Sequence, residues 1–481
     1  MSNFFQGIKS FFSVTGKRWQ SLSLFSRNLV INLFWGLSVV FVLWLFSDSP
    51  WLMEAEDASM DWLMRMEKNI IPSIRENNIP SVVVLDIDNQ TFHHWGEPLF
   101  ISRQRLINLI DAAVRAKARL VIVTLDVSQE APVEGSQLHP DDEALKTYLA
   151  NYIAKCQNEK KDMSACPPII LGRSFSAQSN YIPILQTGFL DEVVAQGVPY
   201  VQWASRQFYP VEHNVVRRWK LWQPVCTSDK QPMVVPSIEL LAMSFVKENC
   251  ITWDVQNVLQ QLFQPKNCDN DITQLLHEES LELCDLPINT KDRWGINQRI
   301  MYRVPWLVND YPPSLPYLVT DETGSQVLRT LSAQSFTEST PQARLKALAN
   351  NVVVIGTSYH EGQDVHLTPL GDMPGTLVFV NALHSLLQYE KIDLHSIADM
   401  LTMMLLIVIM SIAIRIFPSF KGVIISGVLI IFGLLPLTMI IFHYGMWFNF
   451  ALPLIVIIVY RLITEFGRPG EKKNQMIPRT V

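Results

Sequence analysis

SVVVLDID (residues 81–88), LVIVTLD (120–126) and NVVVIGTS (351–358) are three short runs of β-branched and apolar residues, each ending in polar positions. They are too short for a buried helix and too continuous for a strand with one wet face, so each reads as a strand covered on both sides. The segments between them fit that reading. Residues 102–117 (SRQRLINLIDAAVRAK) carry apolar positions at helical spacing behind Ser102 as N-cap, and a second helix is expected over about 141–155. Ile169–Phe175 reads as another strand, and a helix is expected over about 375–389. The alternation predicts an α/β domain with a mainly parallel sheet and helices on both faces. Tyr200–Gln207 and Val215–Gln223 read as an added hairpin, and 252–294 as a helical or loop insertion. Residues 310–340, with Pro312, Pro313, Pro316 and Gly324, read as an irregular connection.

Around this domain the composition changes. The 481-residue chain is 48% hydrophobic and only 17% charged, against roughly 25% charged in soluble domains. No charge occurs from Asn28 to Ser47, a length close to the roughly 20 residues that span a bilayer core. A long basic region before it and no small-residue cleavage site after it favour an uncleaved anchor over a signal peptide. Three further apolar segments follow near the end. Lys9, Lys17, Arg18 and Arg27, then Arg415 and Lys421, then Arg468, Lys472 and Lys473 mark the cytoplasmic sides. The expected organisation is a cytoplasmic, amphipathic N-terminal segment (1–27), transmembrane helix 28–47, an extracytoplasmic domain (48–396), transmembrane helices 397–415, 422–442 and 448–463, and a cytoplasmic tail (464–481). Apart from Arg415 and Arg461 at their cytoplasmic ends, the only charged side chain within these spans is Asp399, at the outer edge of the second, which argues against an ion pathway. A net charge of −6 excludes nucleic acid as a partner of the whole chain.

All six cysteines, at 156, 166, 226, 250, 268 and 284, fall in the extracytoplasmic part. An even number on the oxidising side predicts disulfides, with Cys156–Cys166 the favoured local bridge. Metal binding and buried free thiols stay open, although no CxxC spacing supports a metal.

The order of segments resembles that of the CHASE-type extracellular sensory domains, second class. SVVVLDIDNQTFHHWG (81–96) and RQRLINLIDAAVRAKARLVIVTLDV (103–127) look like the opening β-α-β unit of that family, and NVVRRWKLWQP (214–224) like its central hairpin. NNVVVIGTSYHEGQDVHLTPLGDMPGTLVFVNALHSLL (350–387) is the most distinctive stretch. The resemblance spans roughly 50–390, and one apolar segment before and three after is also the family's layout. It implies a sensory role. Family members commonly continue into a cyclase, kinase or protease domain, whereas here roughly 20 residues follow the last span, so a fused output domain is not expected.

In parallel α/β sheets, ligands bind beyond the carboxyl ends of the strands. Asp86 and Asp88, Asp126, Gly356, and the loop carrying Asp364, His366 and Thr368 all fall there, and are expected to approach one another. Three readings are open: helix caps and loop hydrogen bonds; a small-ligand or divalent-cation site, since hard oxygen donors suit Mg²⁺ or Ca²⁺; and metal-assisted hydrolysis. No nucleophile motif such as G-x-S-x-G accompanies them, so no catalytic residue is expected. Gly375 is read as permitting close helix packing. Arg217 and Arg218 are read as solvated hairpin charges or salt-bridge partners, with contact to an anion the alternative.

The expected function is that of a receptor in a bacterial inner membrane, multi-pass, with its large domain in the periplasm or outside the cell. It would bind a small molecule and act through another membrane or envelope protein. The alternatives are an accessory subunit of an envelope complex and, third, a hydrolase. A reporter active only in the cytoplasm is expected to work when fused after Val481 and to be silent at Gln264. Activity at Gln264 would show that the first span is misassigned.

Overall fold

A computed structural model of the chain describes residues 34, 37–38, 41–42, 45–46, 49–67, 70, 79–98, 100–132, 138–158, 165–175, 182–209, 215–247, 250, 255–263, 268, 280–283, 286–289, 296–306, 314–337, 340–362, 364–389, 404, 408, 432, 435–443 and 445. It divides into two units, Met1–Leu63 with Asp393–Val481, and Met64–Ile392. In the first, the described residues include much of helix Pro50–Met66 and helix Leu435–His443. Among the described residues no helix is long and apolar enough to cross a membrane. The spans expected at 28–47, 397–415, 422–442 and 448–463 lie wholly or mostly outside them.

The second unit is built on a seven-stranded sheet. Its strands are β1 (Val82–Ile87), β2 (Leu120–Asp126), β3 (Ile169–Arg173), β4 (Val201–Ser205), β5 (Leu318–Thr320), β6 (Gln326–Ser332) and β7 (Val352–Thr357). The order is β5-β6-β1-β7-β2-β3-β4, parallel throughout except for edge strand β5. β1 and β7 are buried at every position, as their continuous apolar runs require.

Alternate residues serve two layers. Val83, Leu85, Ile87, Val121, Val123, Val353 and Ile355 join one core with α1 (Arg103–Arg115) and α2 (Pro140–Asn158). α1 presents Leu106, Ile107, Leu109, Ile110, Ala112 and Ala113 to it. It stops because Lys117 turns left-handed (φ 57°), so that Ala118 N–H reaches back to the Ala113 carbonyl. The opposite face is covered by α3 (Ile238–Val246) and α4 (Gly375–Gln388).

α4 is buried at all 14 positions, so its polar side chains must find partners inside the protein. Asn381 Oδ1 accepts from the backbone N–H of Arg303 and Val304, each at 3.0 Å, while Nδ2 donates to the Val304 and Leu377 carbonyls. Ser385 Oγ accepts from Met301 N–H. In the fully buried segment Ile300–Val304, which belongs to no sheet, Met301, Arg303 and Val304 thus take backbone hydrogen bonds from the side chains of a helix, while Ile300 N–H donates to the Arg217 carbonyl. Glu67 pairs with Arg303 Nη1 at 2.5 Å in the same interior.

Three expectations are corrected. Val201–Ser205 is not half of a hairpin but β4, parallel to β3 through the short helix Asp191–Gly197, whose apolar signal is only Val193 and Val194. Val215–Gln223 is shared between two small sheets: Arg218–Lys220 pairs with Phe208–Tyr209 and Asn297–Arg299, and Trp222–Thr227 with Ile184–Leu185 and Pro232–Pro236. Within 310–340, Gln326–Ser332 is a strand of the main sheet, masked in the sequence because only Val327 and Leu328 are buried. In 252–294 the structure places helix Val255–Phe263 and a hairpin, Ser280–Leu283 with Leu286–Asn289.

Cys156–Cys166 is a disulfide, joining the end of α2 to the approach to β3, and Cys226–Cys268 is a second. With separations of 10 and 42 residues, loop-closure entropy makes them worth about 3 and about 4 kcal/mol.

Asn381→Leu keeps the branching and heavy-atom count but orphans three backbone groups of residues 303 and 304. It is expected to cost at least about 3 kcal/mol in urea denaturation of the full chain. A loss below about 1 kcal/mol would show that the segment finds other partners.

Candidate functional site

On the α3/α4 face, the carboxyl ends of three central strands form a polar row. Asp86 of β1 lies beside Gly356 of β7 in the sheet register, and Thr124 of β2 flanks Gly356 on its other side. Gly356 is required by a close approach. A Cβ there would stand 2.3 Å from Thr376 Oγ1 and 2.7 Å from Thr124 Oγ1. In the space it leaves, Thr376 Oγ1 accepts from Thr357 N–H at 2.9 Å and donates to the Thr357 carbonyl at 3.0 Å, docking the first turn of α4 on the end of β7.

A cavity of ≈ 20 Å³ opens next to this junction, lined by Thr124, Arg206, Phe208, Glu239, Asp364 and Phe379 among others. That is room for one water molecule. Asp364 is its anionic pole: Oδ1 lies 3.0 Å from His366 Nε2 and Oδ2 3.2 Å from Arg206 Nη2. The carboxylate packs against Gly375, the first residue of α4, where a Cβ would fall 2.6 Å from Oδ2. The helix N-terminus adds partial positive charge there. Burial works to raise the Asp364 carboxyl, but the His366 hydrogen bond and the Arg206 charge together outweigh it and hold it below the usual range. Phe208 meets the His366 ring edge-on at 5.2 Å and fixes its tilt.

Glu239 is the opposite case. It sits in the first turn of α3, behind Ser237, whose hydroxyl caps Leu240 N–H at 3.1 Å. Burial pushes its carboxyl up to about 8, against hydrogen bonds from its own backbone and Ser237 that act to lower it. Near neutral pH one cavity therefore presents an ionised Asp364 and a largely protonated Glu239, the latter able to donate a hydrogen bond.

The other residues singled out in the sequence serve nearby structure. Asp86 Oδ2 accepts from Ser358 Oγ at 2.6 Å, while Oδ1 is buried with no hydrogen-bond partner. Burial raises its carboxyl to about 7. Asp88 caps helix Asn89–His94 through Thr91 N–H at 2.7 Å. Asp126 accepts from the backbone and hydroxyl of Ser128 and from Ser174 N–H. Thr368 closes the hairpin Val365–Thr368/Gly371–Pro374 by donating to the Gly371 carbonyl at 2.6 Å. Among the described residues, no three His, Cys, Asp or Glu side chains gather as a group able to hold a metal ion. Of the acids expected to approach one another, Asp364 meets His366, while Asp88 and Asp126 accept from local donors. Ser102 occupies the N-cap position of α1 but makes no cap bond; its hydroxyl donates to Asp141 Oδ2 at 2.6 Å. Arg218 is buried rather than solvated. Arg206, Phe208, Thr124 and Glu239 were not singled out from the sequence. Only Glu239 left a signal there, as the one acid in the otherwise apolar helix IELLAMSFV.

Residues 36–416 match a family model described as the CHASE2 domain. No curated protein and no solved structure matches the chain.

Because the folded Glu239 carboxyl titrates near 8 rather than at the ordinary 4.5, its contribution to stability is complete below about pH 4.5 and is lost as pH rises towards 8. Arg206 and Asp364 line the same cavity, with opposite charges. Glu239→Gln, which cannot ionise, is expected to gain several degrees of Tm relative to the parent between pH 5 and pH 8. Parallel pH profiles would rule out a buried, protonated Glu239.

Proposed function

The chain belongs to the CHASE2 domain family, a family of extracytoplasmic sensory domains, and from that premise we propose that it is a membrane-anchored receptor that senses through the Asp364–Glu239 cavity and signals through a partner protein. The observation that carries the site is the pairing, in one buried cavity at the carboxyl ends of the parallel strands, of an ionised carboxylate held by Arg206 and His366 with a protonated one. Such a pair responds to protons and to small polar ligands that rearrange its hydrogen bonds. The water-sized volume means that a larger ligand enters only if the lining side chains move apart.

The route from site to membrane is short in sequence. Asp364 packs on the first residue of α4, α4 ends at Gln388, and the apolar segment read as the second span begins at 397. We read a tilt of α4 as the motion that would reach the residues leading into that span. The flanking apolar segments and basic clusters support a multi-pass protein of a bacterial inner membrane with this domain outside the cytoplasm. Spans nearly free of charge support contact with another membrane or envelope protein through small and apolar side chains.

Asp364→Asn and His366→Ala, introduced into the chromosomal copy, are expected to reproduce the phenotype of a deletion while the purified proteins keep their thermal stability. Arg217→Ala, outside the cavity, is expected to be silent. If phenotype and Tm fall together in both cavity variants, the cluster is structural and the proposed site is wrong.

A further inference from the structure

On the other face of the sheet, away from the Glu239 cavity, β6 and the short helix Gln342–Leu345 border a groove of about 540 Å³. That lies within the range of small-molecule sites, roughly 300–1,000 Å³. Its charged lining is Arg329, Arg344 and Lys346, and among the described residues no Asp or Glu lines it. On a chain of net charge −6, a concave surface whose described charges are all positive is a local reversal of sign.

The two arginines are held by neutral groups. Arg329 Nη2 donates to the Tyr317 hydroxyl at 3.1 Å and its guanidinium lies over the Tyr317 ring at 5.7 Å, while its Nε is buried with no hydrogen-bond partner. Arg344 Nη1 donates to the Ser335 carbonyl at 3.0 Å. Among the described residues no carboxylate pairs with Arg329, Arg344 or Lys346. A guanidinium oriented by neutral acceptors is fixed in place yet keeps its charge uncompensated, which is the condition for binding an anion with little reorganisation. Leu331 and Phe336 supply an apolar floor beside these cations.

We propose that this groove binds a small organic anion with an apolar body, a carboxylate or phosphate ester whose charge meets Arg329, Arg344 and Lys346 while its hydrocarbon part lies on Leu331 and Phe336. The site is separate from the Asp364–Glu239 cavity and stands whether or not that cavity senses anything.

Phenyl phosphate serves as the probe, with inorganic phosphate and phenol as its two halves. The readout is acylation of Lys346 by a water-soluble amine reagent, followed by mass spectrometry on the full chain in neutral detergent. Lys155, exposed on α2, is the internal control. Protection of Lys346 is expected to grow with phenyl phosphate as 1 + [L]/Kd, reaching about fivefold near four times Kd, with Lys155 unchanged and added NaCl weakening the effect. Neither half-probe should protect comparably at the same concentration. Arg344→Gln, at an exposed position, and Ala343→Trp, which fills the groove, should each abolish protection without lowering Tm. Protection by inorganic phosphate alone, equal slowing of Lys155, no protection at all, or protection that survives both substitutions would each overturn the proposal.

Discussion

A helix buried on every side is the constraint around which this domain is arranged. α4 has no wet face on which to place a polar group, yet its sequence includes Thr376, Asn381, His384 and Ser385. Thr376 reaches the end of β7, and Asn381 and Ser385 supply the backbone of residues 301–304. A polar group left without a partner in such a place costs about 1–3 kcal/mol. Each hydrogen bond therefore does more than stabilise α4: it sets where a neighbouring segment must lie. The glycines at 356 and 375 belong to the same arrangement, since each removes a Cβ that would collide with Thr376 or Asp364. His384 meets the constraint differently. Its ring nitrogens have no hydrogen-bond partner, and burial pushes its pKa down to about 4, so it remains a neutral ring packed near Tyr389.

The two carboxyls of the cavity show how burial gives opposite results depending on company. Asp364 and Glu239 are both withdrawn from water, and burial is the largest influence on each. Asp364 has a cation, an imidazole and a helix N-terminus beside it and stays ionised. Glu239 has mainly apolar neighbours on its own helix, with only backbone and Ser237 hydrogen bonds in its favour, and holds its proton. Distance from a compensating charge, rather than residue type, decides the protonation state.

The sheet was legible because a strand buried on both faces has no polar alternation to obscure its length. β2 runs over the residues read from its sequence, and β1 and β7 fall within a residue of theirs at each end. Strands at the margins were not legible for the complementary reason. β6 has only two buried residues, and β4 alternates Gln202 and Ala204 with larger apolar side chains, so each gives a mixed signal. Of the residues read as a candidate site, Asp364 and His366, which sit in the most distinctive stretch, lie together at the cavity or beside it. The sequence did not reveal Arg206, Phe208 or Glu239. These lie 125 to 158 residues before Asp364 in the chain, and only the docking of α3 and the residues after β4 brings them to the cavity. It also overstated Asp88, Asp126 and Thr368, because an acid or hydroxyl at a strand end satisfies a nearby N–H or C=O as readily as a ligand.

The arrangement has a consequence for how a change at the cavity would spread. Asp364 touches α4 at Gly375, whereas Asn381 and Ser385 grip residues 301–304 about two and about three turns further along. An α-helix transmits axial displacement with little loss because its hydrogen bonds run along the axis. Loosening the contact at Gly375 alone leaves α4 anchored by Asn381, so the helix pivots about that point instead of sliding freely. Losing the anion at Asp364 removes attraction at one end of α4, while the buried bonds of Asn381 stay intact at its middle. The end beyond that pivot, towards Gln388, is the part that leads into the apolar C-terminal segments. On the proposed sensory reading, a rigid helix held at its middle, with a charge-sensitive first turn, would act as a lever, and closely packed interiors favour discrete positions over a continuous range.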